Sequence, residues 1–127
     1  MWVRIVAAFL VLALCLTLCL VSGRRVFDVV DEMRGLCREA EALVDTGRYE
    51  RALETLERAE ALWSTNRAFL EGMTPHEDLH DVNTQRIQAY ANLELMDLDD
   101  FYLCMDLLDE ELTHLREHET LSWSNLL

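Results

Sequence analysis

The sequence predicts an all-α protein: an N-terminal transmembrane helix followed by a four-helix bundle made of two antiparallel helical hairpins. Three observations carry this. Residues 5–21 hold no charge, and with Met1, Trp2 and Val3 ahead of Arg4 the apolar stretch approaches the ~20 residues a spanning helix needs. From Val26 onward apolar residues recur at spacings of three and four, the stripe of helices that each bury one face. Gly47 and Pro75 punctuate that pattern where helices should end and begin.

The first element is the anchor, residues 1–25. Trp2 and the Arg24/Arg25 pair suit the interfacial ends of a span. A cleaved signal peptide would want a shorter apolar core and small residues before the cut, which Leu18, Cys19, Leu20, Val21, Ser22 and Gly23 supply poorly. Cys19 follows a lipoprotein-like stretch in which Leu18 stands where a small residue is expected. The reading is therefore an uncleaved, single-pass anchor in the cell membrane. Counting Arg24, Arg25, Arg34 and Arg38 against Arg4 places the domain in the cytoplasm. Dilution of that flank by Asp28, Asp31 and Glu32, and the likeness to an uncut export signal, place it outside; the extracytoplasmic side is adopted.

Residues 26–119 form the helical domain. Val26, Val29/Val30, Met33, Leu36/Cys37, Ala40 and Leu43/Val44 mark the inner face of its first helix, which Asp45, Thr46 and Gly47 end, the glycine supplying a left-handed residue. The second carries Tyr49, Ala52/Leu53, Leu56, Ala59, Leu62/Trp63, Asn66 and Phe69/Leu70, and runs to about Met73. The third opens with Thr74 as N-cap, Pro75 at the first helical position and Glu77 completing a capping box. It continues to about Leu98, with Leu79, Val82, Ile87, Tyr90 and Leu93 inward. In the fourth, Phe101, Met105, Leu108, Leu112 and Leu115 step by four, three, four and three. Residues 120–127 form an apolar tail whose Trp123, Leu126 and Leu127 are candidate contacts for membrane or partner.

An offset of 52 aligns the two halves. Leu43, Gly47, Tyr49, Ala52, Leu53 and Leu56 then fall on Leu95, Asp99, Phe101, Cys104, Met105 and Leu108, which makes Asp99 the turn of the second hairpin.

Charge narrows the partners. From Arg24 onward ten arginines face all 24 acidic residues, a net charge of −14, so nucleic acid is not expected. Between residue 68 and the end, 14 acidic residues meet only Arg86 and Arg116, a field that a basic protein or metal ions could use and that otherwise serves as a solvated surface keeping the domain soluble. Four cysteines without CxxC or Cys/His spacing give no disulfide framework. Cys37 and Cys104 sit near core positions, where a bridge or two buried thiols both fit.

One motif promises chemistry. His76, Glu77, Asp78, Leu79 and His80 spell H-E-x-x-H, in which two histidines one turn apart bind zinc and the glutamate activates water, with His114 or His118 as a third ligand. Thr74 and Pro75, however, place it in a first turn, where the helix dipole opposes a cation and favours Glu77 and Asp78. The expectation is a helix start with structural histidines: no catalysis, no cofactor, and a membrane-tethered module that meets another protein. A small zinc-dependent hydrolase is the alternative.

Two resemblances add to this. Gly47, Tyr49, Ala52 and Ala59 resemble the centre of a tetratricopeptide repeat, but that repeat's early Trp and final Pro are missing and two units fall short of an array. The whole chain resembles an uncharacterised family, a domain of unknown function in short membrane-anchored proteins of Gram-positive bacteria. The matching features are the N-terminal span, Trp63, His76 and Glu77, Asp97 to Asp100, and the terminal Glu119, Ser122, Asn125, Leu126 and Leu127. That resemblance implies architecture and membrane attachment.

Overall fold

The computed structural model describes the backbone of residues 1–126 and the side chains of residues 1–121. Four helices and no strand are present among them: α1 Trp2–Asp45, α2 Tyr49–Met73, α3 His76–Glu94 and α4 Leu98–Leu126. The anchor and the first bundle helix, read from sequence as separate elements, are one helix of 44 residues. Its length is about 66 Å at 1.5 Å per residue. Nothing between residues 21 and 26 stops it: Ser22 and Gly23 are weak helix formers, yet no proline interrupts the hydrogen-bond ladder.

The apolar part of α1 stands clear of the rest. Residues 1–21 are exposed, and buried positions begin at Gly23 and recur through Val26, Val29, Val30, Met33, Cys37, Ala40 and Val44. The exposed part is long and apolar enough to cross a membrane. The expected inner stripe of α1 is thus the observed one.

Among the described residues each bundle helix packs chiefly on its two neighbours, α1 on α2 and α4, and α3 on α2 and α4. Cross-helix bonds give the directions. Arg34 Nε meets Asp109 Oδ1 at 3.0 Å, Arg116 Nε meets Asp31 Oδ1 at 2.9 Å, and the Tyr102 hydroxyl bonds Asp45, so α4 runs antiparallel to α1. Tyr90 Oη donates to Glu57 Oε1 at 2.9 Å and Arg86 approaches Glu60 at 3.8 Å, the two pairs together setting α3 antiparallel to α2. Phe101, Met105, Leu108, Leu112 and Leu115 fill the centre from α4 at no more than 1 % exposure, opposite Met33, Leu56, Leu70 and Leu93.

The internal repeat is present in a different register. Gly47 takes φ +77° at the first turn, and its counterpart is Met96 at φ +58°, 49 residues on. The turn bonds coincide pair by pair. Thr46 N–H reaches Ala42 O and Leu95 N–H reaches Ala91 O; Gly47 N–H reaches Val44 O and Met96 N–H reaches Leu93 O; Arg48 N–H reaches Leu43 O and Asp97 N–H reaches Asn92 O. Burial follows the same shift: Val30/Leu79, Met33/Val82, Ala40/Ala89, Val44/Leu93, Ala52/Phe101, Leu56/Met105, Ala59/Leu108 and Trp63/Leu112 are all buried. An offset of 52 differs by three residues, close to one helical turn, so it matches apolar to apolar while misplacing the turn.

Asp99 is accordingly not the turn residue. The third helix ends at Glu94, short of the expected Leu98, and Asp97 caps α4 by accepting the Asp100 N–H at 3.3 Å. Asp99 and Asp100 lie in the first turn of α4, where acids suit the positive end of the dipole.

The capping box at Thr74 does not form. Pro75 is the N-cap of α3, no side chain caps that end, and Thr74 ends α2 with extended backbone (φ −134°, ψ 147°) and its N–H on Leu70 O at 2.9 Å. The residue before a proline is pushed toward extended angles, and here that turns the Thr74 hydroxyl inward, buried and without a partner. Thr74→Val should therefore leave stability unchanged or raise it by up to about 1 kcal/mol, because the unsatisfied hydroxyl is removed at constant shape. A cap would instead lose roughly 1 kcal/mol. Urea denaturation distinguishes the two.

The tail continues α4 as helix to Leu126 and is not a separate segment. The side chains of Trp123 and Leu126, and Leu127 as a whole, lie outside the described residues.

Candidate functional site

The first two turns of α3 divide the H-E-x-x-H residues between two grooves. His76 and His80, one turn apart, face α2 and line a cavity of about 250 Å³ with Trp63, Arg67, Leu70, Glu71, Leu79 and Asn83. Buried Trp63, Leu70 and Leu79 provide the apolar lining, and Arg67 and Glu71 pair at 2.9 Å on the α2 wall. Glu77 faces the other way, into a groove between α3 and α4 lined by Asp78, Asp81, Glu110, Glu111 and His114. On a helix, residues one and two apart point in different directions, so this division follows from α3 lying between α2 and α4.

The consequence for the zinc reading is geometric. The two histidines share a wall that the glutamate does not, His114 lies in the glutamate's groove, and His118 lines neither. No group of three His, Cys, Asp or Glu is placed to hold a metal ion among the described residues.

Burial and like charge perturb the acids. Burial raises the Glu111 carboxyl, with Asp81, Asp78 and Glu110 adding to the rise and His114 opposing it. Burial likewise raises Glu41, reinforced by Asp106, Asp109 and Asp45, and raises Glu119. In the opposite sense, the Arg116 hydrogen bond holds Asp31 below its usual range. An acid raised in the fold binds its proton more readily folded than unfolded, so stability grows as pH falls through the raised value. Asp31 has the contrary sign, its contribution fading as pH falls through its depressed value. With four carboxyls raised, Asp100 beside Asp97 included, and a formal net charge of −13 to relieve, the midpoint of thermal unfolding should be higher at about pH 5 than at pH 7. A lower midpoint at the acidic pH contradicts this balance.

Two of the four thiols lie in the core. Cys37 and Cys104 are free and buried, burial pushing the Cys37 thiol up to about 12 and raising Cys104, whose sulfur accepts a bond from Asn92 Nδ2 at 3.4 Å.

Sequence reasoning missed Arg86. The buried face of α3 is Leu79, Val82, Arg86, Ala89 and Leu93, and Ile87, expected inside, is 52 % exposed. Steps of three, four, three and four place residue 86 inward whatever its chemistry, and the apolar character of Ile87 drew the reading one position off. Its guanidinium donates to Asn83 Oδ1 at 2.7 Å and approaches Glu60 at 3.8 Å, while Nε has no partner and burial lowers its pKa. The equivalent position in the first hairpin is the buried Cys37. Arg86→Met should thus raise stability by about 1 kcal/mol, since Glu60 is exposed enough to be solvated alone. Arg86→Ala should lower it by about 2 kcal/mol through the cavity left behind. Paired chemical denaturation curves check both signs.

By contrast Asn66, read as inward, is buried and satisfied: its Oδ1 accepts from Arg25 at 3.0 Å and its Nδ2 donates to Leu62 O at 2.8 Å. Arg25 also lies 4.5 Å over the Phe69 ring, so it ties α1 to α2 just beyond the apolar stretch. Comparison with known proteins gives no relative: no family model, curated protein or solved structure matches the chain.

Proposed function

We propose that the chain is a single-pass, membrane-tethered helical module whose acidic bundle engages another protein, without catalysis of its own. One observation carries the reading: the exposed apolar stretch and the first bundle helix are one helix, so a span at residues 2–21 would tether the bundle with no linker between them. The acid-rich groove of Glu77, Asp78, Asp81, Glu110 and Glu111 is the surface offered to a basic partner. The domain is assigned to the extracytoplasmic side, which topology reporters fused at residue 127 test.

Crosslinking in native membranes with the full chain, against the anchor alone, tests the interaction. A product that requires the bundle, and that weakens when Glu110 and Glu111 become glutamine, supports the proposal; recovery equal to the anchor alone counts against it. The division of His76 and His80 from Glu77 between two grooves favours this module over the zinc-hydrolysis reading. Stoichiometric zinc in protein purified without metal, lost on His80→Ala, would restore that reading.

A further inference from the structure

We propose that the membrane-facing end of the bundle is itself a lipid-contact surface, in which Met73 at the α2–α3 turn and Leu121 on α4 sit in the phosphatidylcholine headgroup layer. The inference rests on the tether reading above and goes beyond it: a tether alone would allow the bundle to hang free in water.

The geometry has three parts. First, no linker intervenes, since the unbroken run of exposed residues ends at Val21 and the first buried position is Gly23, two residues later in the same helix. Second, the neighbouring helices reach back to that level. Arg25 bonds Asn66 and covers Phe69, so Met73, one turn farther along antiparallel α2, lies about one turn nearer the membrane than Arg25, level with Val21. Arg116 bonds Asp31, so Leu121, five residues farther along antiparallel α4, lies level with Val26, the first apolar core position of α1. Third, both side chains are exposed, Met73 at 38 % and Leu121 at 63 %.

The occupant follows from continuity and charge. The surface is continuous with the span, so the bilayer covers it once the span is inserted. At this end Glu71 is paired with Arg67, and Glu77, Asp78 and Glu117 offset Arg24 and Arg25, so no basic excess selects anionic lipid and the contact is apolar, made with a zwitterionic interface.

The test uses the full chain in phosphatidylcholine vesicles, with its four native cysteines replaced by alanine. Single cysteines at Leu14, Met73, Leu121 and Met96 carry a fluorophore, and nitroxide lipids quench at headgroup or acyl depth. Met96 is the distal control, about 33 Å from Gly23 along the bundle at 1.5 Å per residue. The expected result is that residue 14 is quenched from acyl depth, residues 73 and 121 lose most of their emission to the headgroup nitroxide, and residue 96 keeps its emission. If residue 14 is quenched while 73 and 121 behave like 96, the tether stands and the lipid-contact surface is overturned. If residue 96 is quenched as strongly as 73 and 121, the bundle lies along the bilayer and the end-on surface is likewise overturned. An unquenched residue 14 removes both the tether and the surface.

Discussion

Phe101→Ala is expected to lower the unfolding free energy of the bundle by about 3–5 kcal/mol. Phe101 is fully buried in the first turn of α4, and its counterpart under the 49-residue repeat, Ala52, is equally buried on α2. The two hairpins are therefore alike in which positions point inward and unlike in what fills them. The ring supplies volume that the small residue leaves, and deleting it leaves a cavity that neighbouring backbone cannot collapse to fill. Natural domains are stable by roughly 5–15 kcal/mol, so this one change removes a large share. Denaturation followed by far-ultraviolet circular dichroism should show it, with Leu103→Ala as the control. Leu103 sits on the same helix but is 56 % exposed, and its truncation should cost less than about 0.5 kcal/mol. Equal losses at the two positions would contradict the inward face assigned to α4.

Gly23→Pro is expected to cost α1 about 3 kcal/mol of local helix stability while leaving the bundle folded. Proline at residue 23 removes the N–H that bonds the Cys19 carbonyl and drives its ring against that carbonyl, so the helix kinks or breaks at the junction. The bundle half is tolerant, because proline is well suited to the first turn of the helix that then begins there, and Gly23, though buried, precedes the first apolar core position, Val26. The predicted signature is a denaturation midpoint close to that of the parent, combined with lost orientation between the span and the bundle. A large fall in the midpoint would mean that the bundle depends on the span for its own stability.

Much of this fold was legible because it rests on periodicity. The inner faces of α1, α2 and α4 follow from apolar residues at spacings of three and four, and Gly47 marks its turn by the one conformation that glycine adopts freely. The misreadings occur where chemistry and geometry disagree. Arg86 is inside and Ile87 outside because helical phase, set by four neighbours, overrides the preference of one residue. Met96 holds the second left-handed turn without being glycine, so no letter announces it, and the 52-residue offset points to Asp99 instead.

The candidate site was legible only as letters. H-E-x-x-H names residues one turn apart, but which groove each faces depends on which helices flank α3, and that is a tertiary fact. The same limit explains Thr74. Its capping-box spacing is local and correct, and the extended backbone imposed by Pro75 together with the burial of its hydroxyl decides otherwise. The junction at residues 21–26 was divided in two because composition changes there, from apolar to amphipathic. A helix continues through such a change when no residue breaks its hydrogen bonds.

That continuity is the central claim, and a distance between two labels on α1 tests it most directly. With spin labels at Leu12 and Ala42, 30 residues apart on one helix, pulsed electron resonance of the full chain in lipid nanodiscs should give one narrow distribution near about 45 Å. Gly23→Pro should broaden and shorten it. A broad or distinctly shorter distribution in the parent chain would mean that anchor and bundle are separate helices joined by a hinge, contradicting the account.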